Sequence, residues 1–163
     1  MPVDRNTLFA RLEQLGIETT TVEHQPVFTV EESTGLRGAI PGAHTKNLFL
    51  ADKDGHLALV VAKDDAWVDL KQIAKWLGLG RLSFGKPELL ENVLGVPAGS
   101  VTPFALLNDT AAPVTVVVDR GLMDFAEVNC HPLENTATTR LATGDLLRFI
   151  EATGHKPIIM KLG

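Results

Sequence analysis

The stretch Asn47-Leu48-Phe49-Leu50-Ala51-Asp52-Lys53-Asp54-Gly55-His56-Leu57-Ala58-Leu59-Val60-Val61-Ala62 decides the fold. Two apolar runs, Asn47 to Ala51 and His56 to Ala62, flank Asp54-Gly55, a dipeptide that tolerates the backbone of a tight hairpin turn. The spacing predicts an antiparallel hairpin. Beyond it the apolar residues recur at helical spacing. Leu70, Ile73, Ala74 and Leu77 form one stripe behind Asp69, whose carboxylate can cap the first turn of a helix.

Upstream, Leu8, Leu12 and Leu15 share a helical face over Thr7 to Leu15, which Gly16 ends. A short segment through Thr21 and Val22 leads to a second expected helix, Thr29 to Leu36, with Glu31 and Glu32 in its first turn, where the helix dipole favours negative charge. Gly35, Gly38, Pro41 and Gly42 then mark a loop. Downstream, Pro87 to Leu94 reads as a helix with proline in its first turn. Val101 to Leu107 and Val114 to Asp119 read as a second hairpin across Asn108 to Thr110. Ala126 to Cys130 and Thr138 to Leu141 read as strands. Thr143 is expected to cap a helix ending near Thr153-Gly154, and Pro157 to Met160 to form a last strand. Helices and hairpins alternate without βαβ regularity, which predicts an α+β fold: one domain over residues 1–163, with a mixed, largely antiparallel sheet flanked by helices.

The chain has 163 residues, 45% hydrophobic and 21% charged, enough for one sizeable core without a staple. Its net charge of −5 argues against a general duplex-DNA binder but leaves room for a local basic patch that grips one end of an RNA. Cys130 is the only cysteine, so no internal disulfide forms, which fits a reducing compartment. The N-terminus lacks a basic region followed by an apolar run, and no apolar stretch approaches a bilayer-spanning length. A cytoplasmic protein without a membrane partner is expected.

Conventional catalytic signatures fail. Cys130 and His131 are adjacent, and on an extended segment adjacent side chains point to opposite faces, so they form no dyad. Free cysteine is more often a small core residue. Histidines 24, 44, 56, 131 and 155 show no ligand-like pairing, so no metal is expected, and there is no GxSxG elbow or phosphate-cradling P-loop. Three other stretches concentrate polar groups on tight backbone. They are His44-Thr45-Lys46-Asn47-Leu48-Phe49-Leu50, the GxxxP loop Gly99-Ser100-Val101-Thr102-Pro103, and Asn129-Cys130-His131-Pro132-Leu133-Glu134-Asn135-Thr136-Ala137-Thr138-Thr139.

In this order and spacing the three stretches resemble the YbaK/prolyl-tRNA synthetase insertion-domain family of editing deacylases. The wording is most similar to its free-standing ProX branch, which acts on alanyl-tRNA(Pro). The resemblance runs from Val27-Phe28-Thr29 to Ala152-Thr153-Gly154-His155, most of the chain. It implies hydrolysis of an aminoacyl ester without a cofactor. An activated ester needs chiefly a positioned water and donors for the developing oxyanion.

The resemblance also assigns residues. Lys46 falls where the family keeps its functional lysine, and would pair with a phosphate of the CCA end or orient the terminal ribose. Backbone N–H groups of Gly99, Ser100, Val101 and Thr102, with Pro103 stiffening the exit, would hold the ester carbonyl or the terminal adenosine. The bland alternative is a strand-entry turn. Asn47 and His131 are carried over as groups near the aminoacyl moiety, and Asn129 would face the same way as His131 along a strand, so that either could contact the substrate α-amino group or order the water; His131 could equally be a hydrogen-bonded structural histidine. Lys71 and Lys75, four apart on a helix face, with Arg81 and Lys86 following, could touch acceptor-stem phosphates, although such a face is more often simply solvated. The implied partners are mischarged tRNA(Pro), through its acceptor stem and CCA end, and in passing prolyl-tRNA synthetase. Rival readings are the family's cysteinyl-tRNA(Pro) activity, a non-catalytic nucleic-acid-binding module, and a general small-ester hydrolase.

Overall fold

The computed structural model describes residues 2–26 and 40–162. Helix α1 (Arg5–Gln14) starts two residues before the expected Thr7 because Asp4 accepts the Thr7 N–H and caps it. It leads to β1 (Thr19–Glu23). The expected hairpin forms as β2 (Ala43–Ala51) and β3 (Leu57–Lys63), followed by the Asp69-capped helix α2 (Leu70–Leu77), β4 (Ser83–Phe84) and α3 (Pro87–Leu94). The chain ends with β5 (Val114–Asp119), β6 (Glu127–Cys130), β7 (Ala137–Ala142), α4 (Thr143–Ala152) and β8 (Ile158–Met160). The helix expected at Thr29 to Leu36 lies outside the described residues.

The eight strands form one sheet in the order β1-β7-β6-β2-β3-β5-β8, with β4 added beside β2. Its antiparallel ladders are β1·β7, β6·β7, β2·β3 and β2·β4; β2·β6, β3·β5 and β5·β8 run parallel. The mixed, largely antiparallel sheet flanked by helices is therefore observed. Both faces of its middle are buried. One face of β2, β3 and β5 (Phe49, Leu59, Val61, Val116, Val118) packs against α1, α3, α4 and Phe104. The other (Leu50, Ala58, Val60, Ala62, Val117) packs against Ile73 and Ala74 of α2. This two-sided burial explains why β3 reads as an unbroken apolar run.

Two expectations are corrected. Val101 to Leu107 is not a strand and does not form a hairpin with β5. It is a pair of 3₁₀ turns, Ala98–Ser100 and Pro103–Asn108, and β5 pairs parallel to β3 instead. Pro103 has no N–H to give a ladder, and the Thr102 hydroxyl accepts from Phe104 N, which starts a turn. Phe104, Ala105 and Leu106 are apolar because they are core residues, and a short apolar run does not distinguish strand from buried turn. Thr143 is the first residue of α4 rather than its cap. Its hydroxyl donates to Phe125 O at 2.6 Å, and the capping position falls to Ala142.

Candidate active site

β2 changes partner along its length. Ala43 and His44 pair with Val128 and Asn129 of β6, whereas Leu50 and Ala51 pair with Phe84 and Ser83 of β4. Between these ladders, residues 45–49 have no strand on that edge among the described residues. The direction of their backbone follows from two bonds. His44 O accepts from Asp64 N on the β3 side, and Phe49 O accepts from Gly85 N on the β4 side, each at 2.9 Å. Backbone groups alternate between the two edges of an antiparallel strand, so Asn47 turns its N–H and C=O to the opening.

Lys46 and Asn47 flank this split from opposite faces. Asn47 shares the side of Phe49. Its Nδ2 donates to Thr45 Oγ1 at 3.3 Å, and its Oδ1 is buried without a partner among the described residues. Thr45 Oγ1 in turn donates to Asn129 O at 2.8 Å, with Cys130 Sγ at 3.5 Å. Lys46 is on the α2 side, half-buried, with Nζ donating to the Ala66 carbonyl.

Asn129 is 2% exposed and clamps the entry to β2, its Nδ2 donating to Pro41 O (2.9 Å) and Ala43 O (3.1 Å). Gly42 backs onto this clamp with φ at +94°; a Cβ there would sit 3.0 Å from Asn129 Nδ2 and 3.2 Å from Glu127 O. With both contacts of the amide nitrogen internal, Asn129 has only Oδ1 to offer, which is buried and unpartnered among the described residues.

His131 follows β6. Its Nδ1 lies 3.0 Å from Ala137 O, and a carbonyl only accepts, so Nδ1 carries the proton and Nε2 keeps its lone pair in the neutral ring. Burial is the main cause that lowers its pKa below the ordinary histidine value. The Ala137 carbonyl pulls the other way, and charge on His24 adds to the lowering. His24 was not singled out from sequence. The β1·β7 pairing brings it here, with its N–H on Thr136 O (2.9 Å) and Nε2 beside Thr138 Oγ1 (2.8 Å). No local signal links positions more than a hundred residues apart.

The GxxxP loop adjoins the His131 loop: a Cβ built on Gly99 would lie 3.5 Å from Asn135 Nδ2, an ordinary contact. Ser100 and Thr102 are buried, and Ser100 N donates to Pro97 O at 3.0 Å. The N–H groups of Val101 and Thr102 have no acceptor among the described residues. Lys71 and Lys75 are exposed on α2, and Arg81 and Lys86 are exposed after it. None of these four makes an ion pair among the described residues. Cys130 is buried at 3% exposure, and that burial, opposed in part by the Thr45 hydroxyl, pushes its thiol up to about 12. The described side chains best grouped to hold a metal are Asp52, Asp54 and His56, beyond the opposite end of β2. Asp52 there already accepts from Asp54 N, His56 N, His56 Nδ1 and Gly80 N, so its carboxylate serves the turn.

Lys46 and the buried amide oxygens of Asn47 and Asn129 thus lie about the split edge, while the GxxxP loop adjoins the loop that carries His131. Comparison with known proteins gives the family. Residues 24–149 match the aminoacyl-tRNA editing domain, and the chain belongs to that family. It is 43% identical over 162 residues to the prolyl-tRNA synthetase associated domain-containing protein 1 of Danio rerio, covering 98% of this chain and 88% of that protein. It is 38% identical to the prolyl-tRNA editing protein ProX of Acetoanaerobium sticklandii, covering 93% of each. A 26% identity, over 90% of this chain and 93% of the relative, links it to the multifunctional Ser/Thr-tRNA deacylase ProXp-y of Escherichia coli. The fold matches that of a solved candidate trans-editing enzyme for prolyl tRNA synthetase with a TM-score of 0.74 at 23% identity, covering 100% of this chain and 99% of that one. Among the described residues, no helix is long and apolar enough to cross a membrane.

Proposed function

We propose that this chain is a cytoplasmic, trans-acting aminoacyl-tRNA deacylase whose preferred substrate is alanyl-tRNA(Pro). The observation that carries the reading is the split beside β2, where Lys46 and Asn47 meet an edge with unspent backbone groups. Water adds to the ester carbonyl, the tetrahedral intermediate collapses, and the ribose oxygen leaves with a proton, giving alanine and free tRNA(Pro). The N–H groups of Val101 and Thr102 stabilise the oxyanion, Lys46 holds the 3′ end, and Nε2 of neutral His131 accepts from the substrate ammonium. Asn129 acts through the backbone it clamps. Nothing among the described residues sterically requires glycine at position 99, which fits a backbone kept open for a ligand. The buried thiol of Cys130 is no nucleophile.

The need for such an enzyme is physical. A synthetase pocket shaped for proline rejects a smaller apolar residue by only about 1–3 kcal/mol per missing methylene, so a second, smaller sieve is required. Here the GxxxP backbone is the wall against the pyrrolidine ring, and overpacking a rigid site costs on the order of 1–3 kcal/mol. Release of amino acid should be measured for alanyl-, cysteinyl-, seryl-, threonyl- and prolyl-tRNA(Pro) under identical conditions. The alanyl ester should be cleaved fastest and the prolyl ester barely. Faster cleavage of the cysteinyl, seryl or threonyl ester would move the specificity to that amino acid, and equal cleavage of the prolyl ester would sink the editing role.

A further inference from the structure

We infer that Trp67 is a stacking platform for a base of the single-stranded 3′ end of the RNA, working beside the Lys46 ammonium; this rests on the deacylase reading above. Tryptophan is usually well buried, yet Trp67 is 71% exposed, the highest value among the described large apolar side chains. It has no ring partner or cation–π partner among the described residues.

Its backbone, by contrast, is held. Ala66 N donates to Lys63 O at 2.9 Å, and Ala66 O accepts from Lys46 Nζ, so the indole is attached one peptide bond from the lysine head group. On the other side Val68 packs into the core under α2, and Asp69 caps that helix. The nearby carboxylate of Asp65 accepts from Lys63 Nζ at 2.6 Å, which offsets its repulsion of a phosphate. A single exposed apolar residue is ordinary on a protein surface. An exposed indole on a held backbone, one residue from the carbonyl that binds the Lys46 ammonium, is a more specific arrangement. It matches a nucleotide strand, whose phosphate seeks the ammonium and whose base offers a π-face to any aromatic ring. Lys71 and Lys75 are exposed on α2, the helix that begins three residues after Trp67.

The test uses the full chain. The sequence has two tryptophans, so Trp76→Phe leaves Trp67 as the only indole reporter. Titration with an uncharged single-stranded RNA oligomer ending in CCA should quench its fluorescence, and Lys46→Ala should weaken that response. In deacylation assays Trp67→Ala should raise KM about tenfold with kcat within twofold, while Trp67→Phe, which keeps a ring to stack on, should recover most of the loss. Melting temperatures should not move, because the side chain packs on little. An active wild type with an unchanged KM in Trp67→Ala, or no quenching by the oligomer, overturns the inference and leaves the indole to a protein contact. If the wild type releases no amino acid from any charged tRNA, the deacylase reading fails instead, and the fluorescence titration still decides the stacking.

Discussion

The two ends of β2 handle buried polarity in opposite ways. Beyond its C-terminal end, the carboxylate of Asp52 is fully enclosed and accepts from three backbone N–H groups and the His56 ring at 2.9–3.2 Å. Burial would raise its pKa, but these bonds outweigh that and hold it at about 2. Toward the N-terminal end, Asn47 and Asn129 spend their Nδ2 groups on the protein and leave each Oδ1 buried without a partner among the described residues. Most buried polar groups in native proteins are satisfied, so the exceptions call for an explanation. Here the satisfied end builds a turn, and the unsatisfied end lies at the split edge with Lys46. Substitution at one end should therefore cost stability, and at the other activity.

The largest expected effect tests the activity end. Lys46→Ala should cut kcat/KM for mischarged tRNA by at least about 10²-fold, the scale of losing one positioned charge-stabilising group, with the melting temperature close to wild type. Lys46→Arg should keep part of the rate. A loss matched by unfolding would make Lys46 a structural residue and dissolve the contrast. His131→Gln should lower kcat/KM about tenfold, the low side of what one hydrogen bond to a charged group contributes. Because the His131 pKa is lowered, the neutral ring persists below the usual histidine range. The wild-type acid limb assigned to this group should fall below pH 6.5 and be missing in the variant. An acid limb shared by both proteins would belong to another group.

Asp52 tests the stability end, and the sign follows from its depressed pKa. An ionised carboxylate favoured in the folded state stabilises the fold above its unfolded value near 4, and this is lost as pH falls through about 2. Asp52→Asn should lower the melting temperature at neutral pH, and the gap to wild type should close between about pH 4 and pH 2. Deacylation by the folded variant at pH 7 should be unchanged. A constant gap across that range would mean that the carboxylate charge does not hold the turn.

How far each end was legible follows from the same contrast. Asp54-Gly55, the Asp69 cap and the stripe Leu70, Ile73, Ala74 and Leu77 are local signals, and the hairpin and helix they predict formed as read. Residues 101–107 failed because their apolar pattern reports burial, while Pro103 and the Thr102 hydroxyl decide the backbone locally. The site was harder for a different reason. Lys46, Asn47 and the GxxxP loop could be named by resemblance. The opening beside Lys46 and Asn47 depends on β2 losing β6 after His44 and meeting β4 at Leu50, which no window of sequence contains. The arrival of His24 beside His131 is likewise a product of strand order.

The smallest expected effect concerns Cys130, which is buried against Thr45. With its pKa pushed up to about 12, only about one molecule in 10⁵ carries the thiolate at pH 7, too few for a nucleophile. The side chain belongs instead to the core cluster with Val128 and Leu141. Cys130→Ala removes one buried sulfur and should cost about 1 kcal/mol of stability, the scale of a small core truncation. Thr45 loses a weak contact at 3.5 Å but keeps its bond to Asn129 O at 2.8 Å, so the link between β2 and β6 survives. Turnover of mischarged tRNA should stay within twofold of wild type, and iodoacetamide should leave the native protein active and unmodified. A tenfold loss of turnover with an intact melting transition would put the thiol in the reaction and place Cys130 on the activity side of the divide.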